Sequence, residues 1–246
     1  MENNTLYVFD MDGTLLKVPG VADFVDIENN DIKTDDENIK GYVEKIKGAF
    51  SSLFFKEICF KKVGEFIVIL DCRSKKALEP KYLNLIQEAS PEQFKQAGLK
   101  NSIKKDLLRA IVEKDGVVIF ESFPGFYDKK ETIGGEINKD IISVYKLAKN
   151  KMILTGRKEE MRQDIEKKLV DIGIGIPSFG LHLFPGGSKS IVDYKIGTIL
   201  DSITENNWSE VHFFEDRKDW LDKTAVEVIE KFPEIKFHKH LIKIMN

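Results

Sequence analysis

The chain has 246 residues, in which 38 Lys and Arg residues nearly balance 41 Asp and Glu residues, for a formal net charge of −3. This balance excludes a global electrostatic attraction to nucleic acid or to a membrane surface. No apolar run approaches the length that is needed to cross a bilayer, so we expect a globular cytoplasmic protein with room for a full core and a second small domain.

The cysteines and histidines indicate little chemistry. Cys59 and Cys72 are too few for a disulfide framework and lack metal-ligand spacing. His238 and His240 are spaced to share one face of a strand, but two histidines alone make a poor metal site. The first predicted strand begins about five residues from Met1, so we expect no cleavable signal peptide.

Within residues 5–15, an apolar predicted strand from Leu6 to Phe9 is followed directly by Asp10-Met-Asp12-Gly-Thr. Side chains two residues apart on a strand point to the same side, so Asp10 and Asp12 are brought together. Two such carboxylates repel each other, and a folded protein rarely places them together without a cation or a phosphate to bind. A solvated turn is the alternative, but the whole string behind an apolar strand favours a site for a hard cation.

A second apolar strand is predicted at residues 151–154 and ends in Thr155-Gly156-Arg157, before a predicted helix over 158–171. A threonine hydroxyl and backbone amides at the start of a helix can bind a phosphate. The alternative is a threonine that only caps the helix.

A lysine is the next element that a phosphate site requires. Lys195 lies in an amphipathic helix whose apolar stripe continues through Ile196, Ile199 and Ile203. Lys189, one loop earlier, is the alternative. The helical stripe favours Lys195.

A third apolar strand, predicted from residue 211, ends in Glu215-Asp216-Arg217. Neighbouring side chains on a strand point to opposite sides, so only one carboxylate can readily bind a metal. We predict Asp216 as the ligand. Glu215 and Asp219 are expected to support the metal site from outside its ligand set.

The string at residues 10–15, Asp-Met-Asp-Gly-Thr-Leu, resembles motif I of the haloacid dehalogenase superfamily, and the later segments match its other motifs in order. The resemblance implies a phosphatase in which Asp10 forms an aspartyl-phosphate and Asp12 is the general acid/base. It also implies that Thr155 and Lys195 bind the phosphoryl group, and that Mg²⁺ is held by Asp10, Asp12 and Asp216.

Two short strings narrow the resemblance. Leu-Thr-Gly-Arg at 154–157 and Glu-Asp-Arg at 215–217 are similar to the corresponding domain of the Swiss Army Knife RNA repair proteins. An acid-Asp-Arg string also occurs in the phosphatase domain of polynucleotide kinase/phosphatases. The match covers about half of the chain, and Trp220 stands where the family tends to carry a histidine.

This narrower resemblance implies that the substrate is a phosphate end of a nucleic acid or a nucleotide. The residues expected to bind it are Thr14, Gly156, Arg157 and Arg217. Phosphorylated small metabolites are the alternative substrates. A third possibility, from another functional class, is a binding module that kept the fold and lost turnover.

The predicted fold is α/β, with a Rossmann-like core of parallel strands at residues 1–17 and 135–246. Residues 18–134 are predicted to form an inserted α+β cap. Within this insertion the patterns predict a helix over 39–50, a hairpin over 57–71, a lysine-rich helix from 91 to 111 and a strand over 116–120.

The inserted region has features that suit a polyanion. From Lys56 to Arg109 there are twelve basic residues against seven acidic ones, and four phenylalanines offer stacking surfaces for bases: Phe54, Phe55, Phe60 and Phe66. The alternative is that the aromatics are core residues and the lysines a solvated face. A Phe-Pro-Gly-Phe-Tyr loop at 123–127 closes the region.

Overall fold

The structure is a computed structural model, and it describes residues 4–123 and 125–243. Pro124 of the predicted 123–127 loop, and the outermost residues of the predicted core at 1–3 and 244–246, lie outside the described residues. The chain folds as two compact units. We call Met1–Val18 with Tyr127–Asn246 the core unit, and Pro19–Phe126 the inserted unit.

The strands, in chain order, are β1 Thr5–Phe9, β2 Leu16–Lys17, β3 Asp26–Glu28, β4 Asp31–Lys33, β5 Ile58–Val63, β6 Phe66–Asp71, β7 Ile111–Lys114, β8 Val117–Phe120, β9 Glu136–Ile137, β10 Lys151–Lys158, β11 Leu181–Phe184, β12 Glu210–Glu215 and β13 Lys236–Leu241. The helices are α1 Glu37–Phe54, α2 Lys81–Glu88, α3 Pro91–Gln96, α4 Ser102–Ala110, α5 Lys139–Leu147, α6 Arg162–Asp171, α7 Ile191–Asn206 and α8 Lys218–Lys231. No helix in the described part of the chain is both long enough and apolar enough to cross a membrane.

The core unit is built on a five-stranded parallel sheet in the order β11-β10-β1-β12-β13. Counted along the chain, these strands have the order 3-2-1-4-5, which is that of a doubly wound sheet. The prediction of an α/β protein with a parallel, Rossmann-like sheet is therefore confirmed at this level.

Both faces of the central strand are buried, which explains its nearly continuous apolar sequence. Leu6 and Val8 pack with side chains of α7 and α8. Phe9 packs on the other face, in a core that includes side chains of α5 and α6. Phe9 also stacks on Phe214 of β12, with ring centroids 4.6 Å apart. This packing fixes the end of β1, where the predicted nucleophile follows.

The sheet order places a topological switch point beside β1. Strand β1 pairs with β10 on one side and with β12 on the other, and the chain winds outward in both directions. Ligands of open α/β sheets bind outside the carboxyl ends of the strands at such a point. The loops after β1, β10 and β12 therefore meet where a site is expected.

The inserted unit is α+β, with an antiparallel sheet in the order β5-β6-β8-β7. The predicted hairpin is present as β5 and β6. The predicted helix from 91 to 111 is wrong in its extent, because α3 ends at Gln96 and Gly98 adopts a positive φ of 72° before α4 begins. Phe60 is fully buried, so it cannot stack on bases, whereas Phe55 is 89% exposed.

The second boundary between the units falls between Phe126 and Tyr127, earlier than the predicted 134/135. Short 3₁₀ turns occupy residues 126–128 and 130–132. The main-chain oxygens of Tyr127 and Thr132 accept hydrogen bonds from the side chain of Arg157, which is the last residue of the predicted Thr155-Gly156-Arg157 string. These bonds explain why residues 127–134 belong to the core unit.

Candidate functional site

Asp10 lies directly after β1 at the switch point of the sheet. Its backbone N–H donates to the carbonyl oxygen of Phe214 at 2.9 Å, which extends the pairing of β1 with β12 by one residue. The side chain is almost completely buried, with 4% of the residue exposed. A carboxylate in such a place requires a charged partner.

Lys195 is that partner. Its Nζ donates to Asp10 Oδ1 at 2.5 Å and to Glu215 Oε2 at 2.7 Å. Ser190 caps the start of α7 by accepting from the Asp193 N–H, and Lys195 lies on the buried face of that helix, one turn before Ile199. Lys189 is exposed, so the structure brings Lys195, and not Lys189, to the predicted nucleophile.

Three carboxylates converge at this point. One oxygen each from Asp10, Glu215 and Asp216 lie within 4.8 Å of one another. Asp10 and Glu215 are buried, and Asp216 is exposed. All three donors are hard oxygens, which is the donor set that suits Mg²⁺. The residues present therefore fit the predicted cation.

This group differs from the predicted ligand set in two residues. The Asp12 carboxylate does not belong to the group. Glu215 does belong to it, although the sequence predicts that this residue supports the metal site from outside the ligand set. The prediction assumed that neighbouring carboxylates at the end of β12 diverge. The strand ends at Glu215, so the alternation of side chains does not extend to Asp216.

The buried acids are strongly perturbed. Burial raises the pKa of Asp10 to about 8, although the charge of Lys195 opposes the shift. Burial likewise raises the pKa of Glu215 to about 7. The Asp216 residue is exposed as a whole, but its carboxylate faces the group and loses hydration there, which raises its pKa as well. For Lys195, burial alone would lower the pKa, but the attraction of Asp10 and Glu215 outweighs it and the net pKa is raised. Strongly perturbed pKa values of this kind cluster at functional sites.

Gly13 allows the loop after β1 to approach Asp216. Its φ is +80°, and a Cβ at this position would lie 2.3 Å from Asp216 Oδ2. Its N–H donates to the carbonyl of Leu16 at 2.9 Å. Glycine is therefore required both by the backbone conformation and by the closeness of the carboxylate.

Asp12 is held by a buried arginine. Arg157 Nε donates to Asp12 Oδ2 at 2.8 Å and to Oδ1 at 3.1 Å, and Nη2 donates to Oδ1 at 2.8 Å. Nη1 donates to the Tyr127 carbonyl and to Thr132 Oγ1, both at 3.1 Å, and Nη2 also donates to the Thr132 carbonyl at 2.7 Å. Only 1% of Arg157 is exposed.

This arrangement does not favour the predicted role of Arg157 in binding substrate. A guanidinium has five N–H donors, and the contacts within the protein account for its three nitrogens. Arg157 instead fixes the position of Asp12 through a fork-shaped, charge-assisted pair. Sequence reasoning did not identify Tyr127 and Thr132 as parts of this arrangement.

The remaining residues of the second motif are packed closely. Thr155 is fully buried, its Oγ1 lies 3.5 Å from Asp12 Oδ2, and it accepts the Arg157 N–H at 3.2 Å. A Cβ on Gly156 would lie 2.9 Å from the side chain of Ile191. In the first motif, Thr14 is likewise fully buried, and its Oγ1 has no hydrogen-bond partner among the described residues.

Arg217 and Asp219 lie at the surface and pair with each other. Arg217 Nη2 donates to Asp219 Oδ2 at 2.9 Å, and both side chains are more than half exposed. The Arg217 guanidinium lies 4.4 Å from the ring centroid of Trp220, and Lys195 Nζ lies 4.8 Å from the same centroid. Asp219 is thus engaged by Arg217, while Arg217 remains accessible to a substrate.

No protein-family model, no curated protein and no solved structure matches this chain. The functional argument therefore depends on the sequence motifs and on the geometry of the site.

Proposed function

We propose that this protein is a Mg²⁺-dependent phosphomonoester hydrolase that acts through an aspartyl-phosphate on Asp10. One observation carries the proposal. Asp10 lies at the switch point of a doubly wound sheet, 2.5 Å from Lys195 Nζ, and one of its oxygens lies within 4.8 Å of an oxygen of Glu215 and of Asp216. A buried carboxylate that contacts a lysine and belongs to a group of acids able to hold a cation is equipped to receive a phosphoryl group.

The chemistry divides hydrolysis into two displacements. An Asp10 oxygen attacks phosphorus, the bond between phosphorus and the ester oxygen breaks, and Asp12 gives a proton to the departing oxygen. Water then attacks the phosphorus of the aspartyl-phosphate, Asp12 takes a proton from that water, and inorganic phosphate leaves with Asp10 restored. Bound Mg²⁺ would neutralise charge on the phosphoryl oxygens.

Lys195 and Arg157 have different tasks in this scheme. Lys195 neutralises Asp10 before attack and stays close enough to a phosphoryl group on Asp10 to stabilise its charge. Arg157 holds Asp12 through both carboxylate oxygens. For Asp12 to give or take a proton, at least one of these contacts has to open, so Arg157 controls when that oxygen is available.

The proposed substrate is a phosphate end of a nucleic acid or a nucleotide. The support is the resemblance of the motif strings to repair phosphatases, together with the exposed Arg217. Small phosphorylated metabolites remain the second candidate, because Asp10, Lys195 and the acidic group need only a phosphomonoester.

A phosphate-release panel with Mg²⁺ tests the proposal. It should include 3′- and 5′-phosphorylated oligonucleotides, nucleotides and sugar phosphates. Asp10→Asn should lower turnover by several orders of magnitude, whereas the matched surface variant Asp201→Asn, at an exposed position of α7, should retain most of it. Full activity in a chelator, or more than a few per cent of activity in Asp10→Asn, would refute the mechanism. No turnover of any substrate would favour a binding module.

Salt dependence distinguishes the two substrate classes. Lys75 and Lys76 are both exposed, and replacing both by Glu should reduce the salt dependence of oligonucleotide binding while a small phosphomonoester is hydrolysed at nearly the same rate. If the substitutions affect both substrates equally, or if both substrates share one salt dependence, the inserted unit is not a nucleic-acid surface. The metabolite hypothesis would then be preferred.

A further inference from the structure

A second group of potential metal ligands lies on the sheet, apart from the acidic group. It consists of Glu210 and His212 of β12 and His238 of β13, which offer one ligand atom each within 4.8 Å of one another. The strand register explains the arrangement, because His212 is paired directly with His238 and His240 is two residues further along the same strand. Side chains at i and i+2 share a face, so all four residues meet.

The donor atoms are already arranged around a common point. Glu210 Oε1 lies 2.7 Å from His238 Nε2 and 3.6 Å from His212 Nε2. Around a tetrahedral ion with bonds of about 2.0–2.2 Å, donor atoms lie roughly 3.3 Å apart. The His212 and His238 rings are stacked, with centroids 4.4 Å apart and planes 12° from parallel, so the two rings have to tilt toward each other to bring these three atoms to metal-ligand distances.

Neighbouring groups orient the donors from outside. The His212 ring directs Nδ1 at His240 Nε2, 2.9 Å away, which leaves Nε2 of His212 facing Glu210. A hydrogen bond to the second ring nitrogen is the usual device that fixes the tautomer and orientation of a ligating histidine. Thr5 Oγ1 donates to Glu210 Oε2 at 3.3 Å, so that Oε1 is the oxygen that faces the histidines.

The site is accessible from solvent. The side chains of Glu210 and His212 are about one fifth exposed, at 21% and 20%, and that of His238 is 42% exposed. An ion can enter, and water can complete its coordination.

We propose that Glu210, His212 and His238 form a second cation site, specific for a divalent transition metal of the Zn²⁺ type, with His240 as a positioning residue for His212. Two imidazoles and one carboxylate prefer such ions to Mg²⁺. The ion would link β12 to β13, which is the edge strand of the sheet. This inference is independent of the proposed phosphatase activity.

Zn²⁺ binding tests the proposal directly. Untagged protein is stripped with a chelator, and Zn²⁺ is titrated calorimetrically in excess Mg²⁺, which occupies the acidic group. The wild type should bind one Zn²⁺ and unfold at a higher temperature when Zn²⁺ is present. The double variant His212→Gln/His238→Gln should lose both effects, and His240→Gln should weaken binding about 10–100-fold.

His182→Gln is the matched control, because His182 lies on β11 and contacts the Phe179 carbonyl instead. It should bind Zn²⁺ like the wild type. If the double variant fails to fold in the absence of metal, Glu210→Gln, which keeps both rings, provides the same comparison. The proposal is overturned if the wild type takes up no Zn²⁺ in excess Mg²⁺, or if the ligand variants bind as much Zn²⁺ as His182→Gln.

Discussion

Replacing Asp12 by alanine should destabilise the core unit far more than an ordinary loss of a surface ion pair. Arg157 would remain buried with only neutral oxygens as side-chain partners among the described residues, those of Tyr127, Lys129 and Thr132. Removing one partner of a buried pair typically costs about 3–5 kcal/mol. Relief of the repulsion between Asp12 and Asp10 offsets part of this, so we expect a loss of about 2–4 kcal/mol.

The matched control is Asp219→Ala, which breaks an exposed Asp–Arg pair of the same chemistry and should cost at most about 1 kcal/mol. Both tryptophans, Trp208 and Trp220, belong to the core unit, so thermal unfolding followed by tryptophan fluorescence reports on that unit. Without divalent ions, the Asp12→Ala midpoint should fall by about 5–15 °C, since 1 kcal/mol corresponds to about 2–4 °C in a domain of this size. Equal, small shifts in the two variants would show that Arg157 is hydrated and that the buried-pair argument is wrong.

Two further predictions concern the acidic group. Because the pKa values of Asp10 and Glu215 are raised to about 8 and about 7, the folded state holds protons that the unfolded chain releases. Metal-free stability should therefore decrease as pH rises from about 5 to 8, and saturating Mg²⁺ should remove the trend; flat unfolding midpoints without metal would contradict this. Gly13→Ala should weaken Mg²⁺ binding in calorimetry, because the new methyl group would displace Asp216. Gly41→Ala, where nothing lies within 4 Å of a new Cβ, is the control and should bind Mg²⁺ normally. Equal Mg²⁺ affinity in the two variants would show that Gly13 has no influence on the metal site.

Much of the candidate site could be predicted from local sequence patterns. Apolar runs that lead into Asp10, Thr155 and Glu215 identify three neighbouring strands of a parallel sheet and their carboxyl-terminal side, although β10 continues past Thr155 to Lys158. The helical stripe around Lys195 predicted its buried face for the same reason. Each of these inferences uses only the spacing of apolar residues within a single strand or helix, which can be read from the sequence alone.

The predictions that differed from the structure required knowledge of long-range pairing. The position of Arg157 after an apolar strand predicts a residue that binds substrate, whereas its burial follows from contacts with Tyr127 and Thr132, which no local pattern links to it. His212 was missed beside His238 for a related reason. A period of two shows which residues of one strand share a face, but the register between β12 and β13 decides which residues of two strands meet.

The two motif I carboxylates are distinguished by their partners. Asp10 shares a single lysine with Glu215, so its negative charge is only partly compensated and a cation is needed to complete the balance. Asp12 has a guanidinium to itself and is compensated without any ligand. Two carboxylates two residues apart thus acquire different chemistry from their surroundings. The proposed division of labour, in which Asp10 attacks phosphorus and Asp12 handles the proton, follows from this difference, because the under-compensated acid is the one placed beside the cation site.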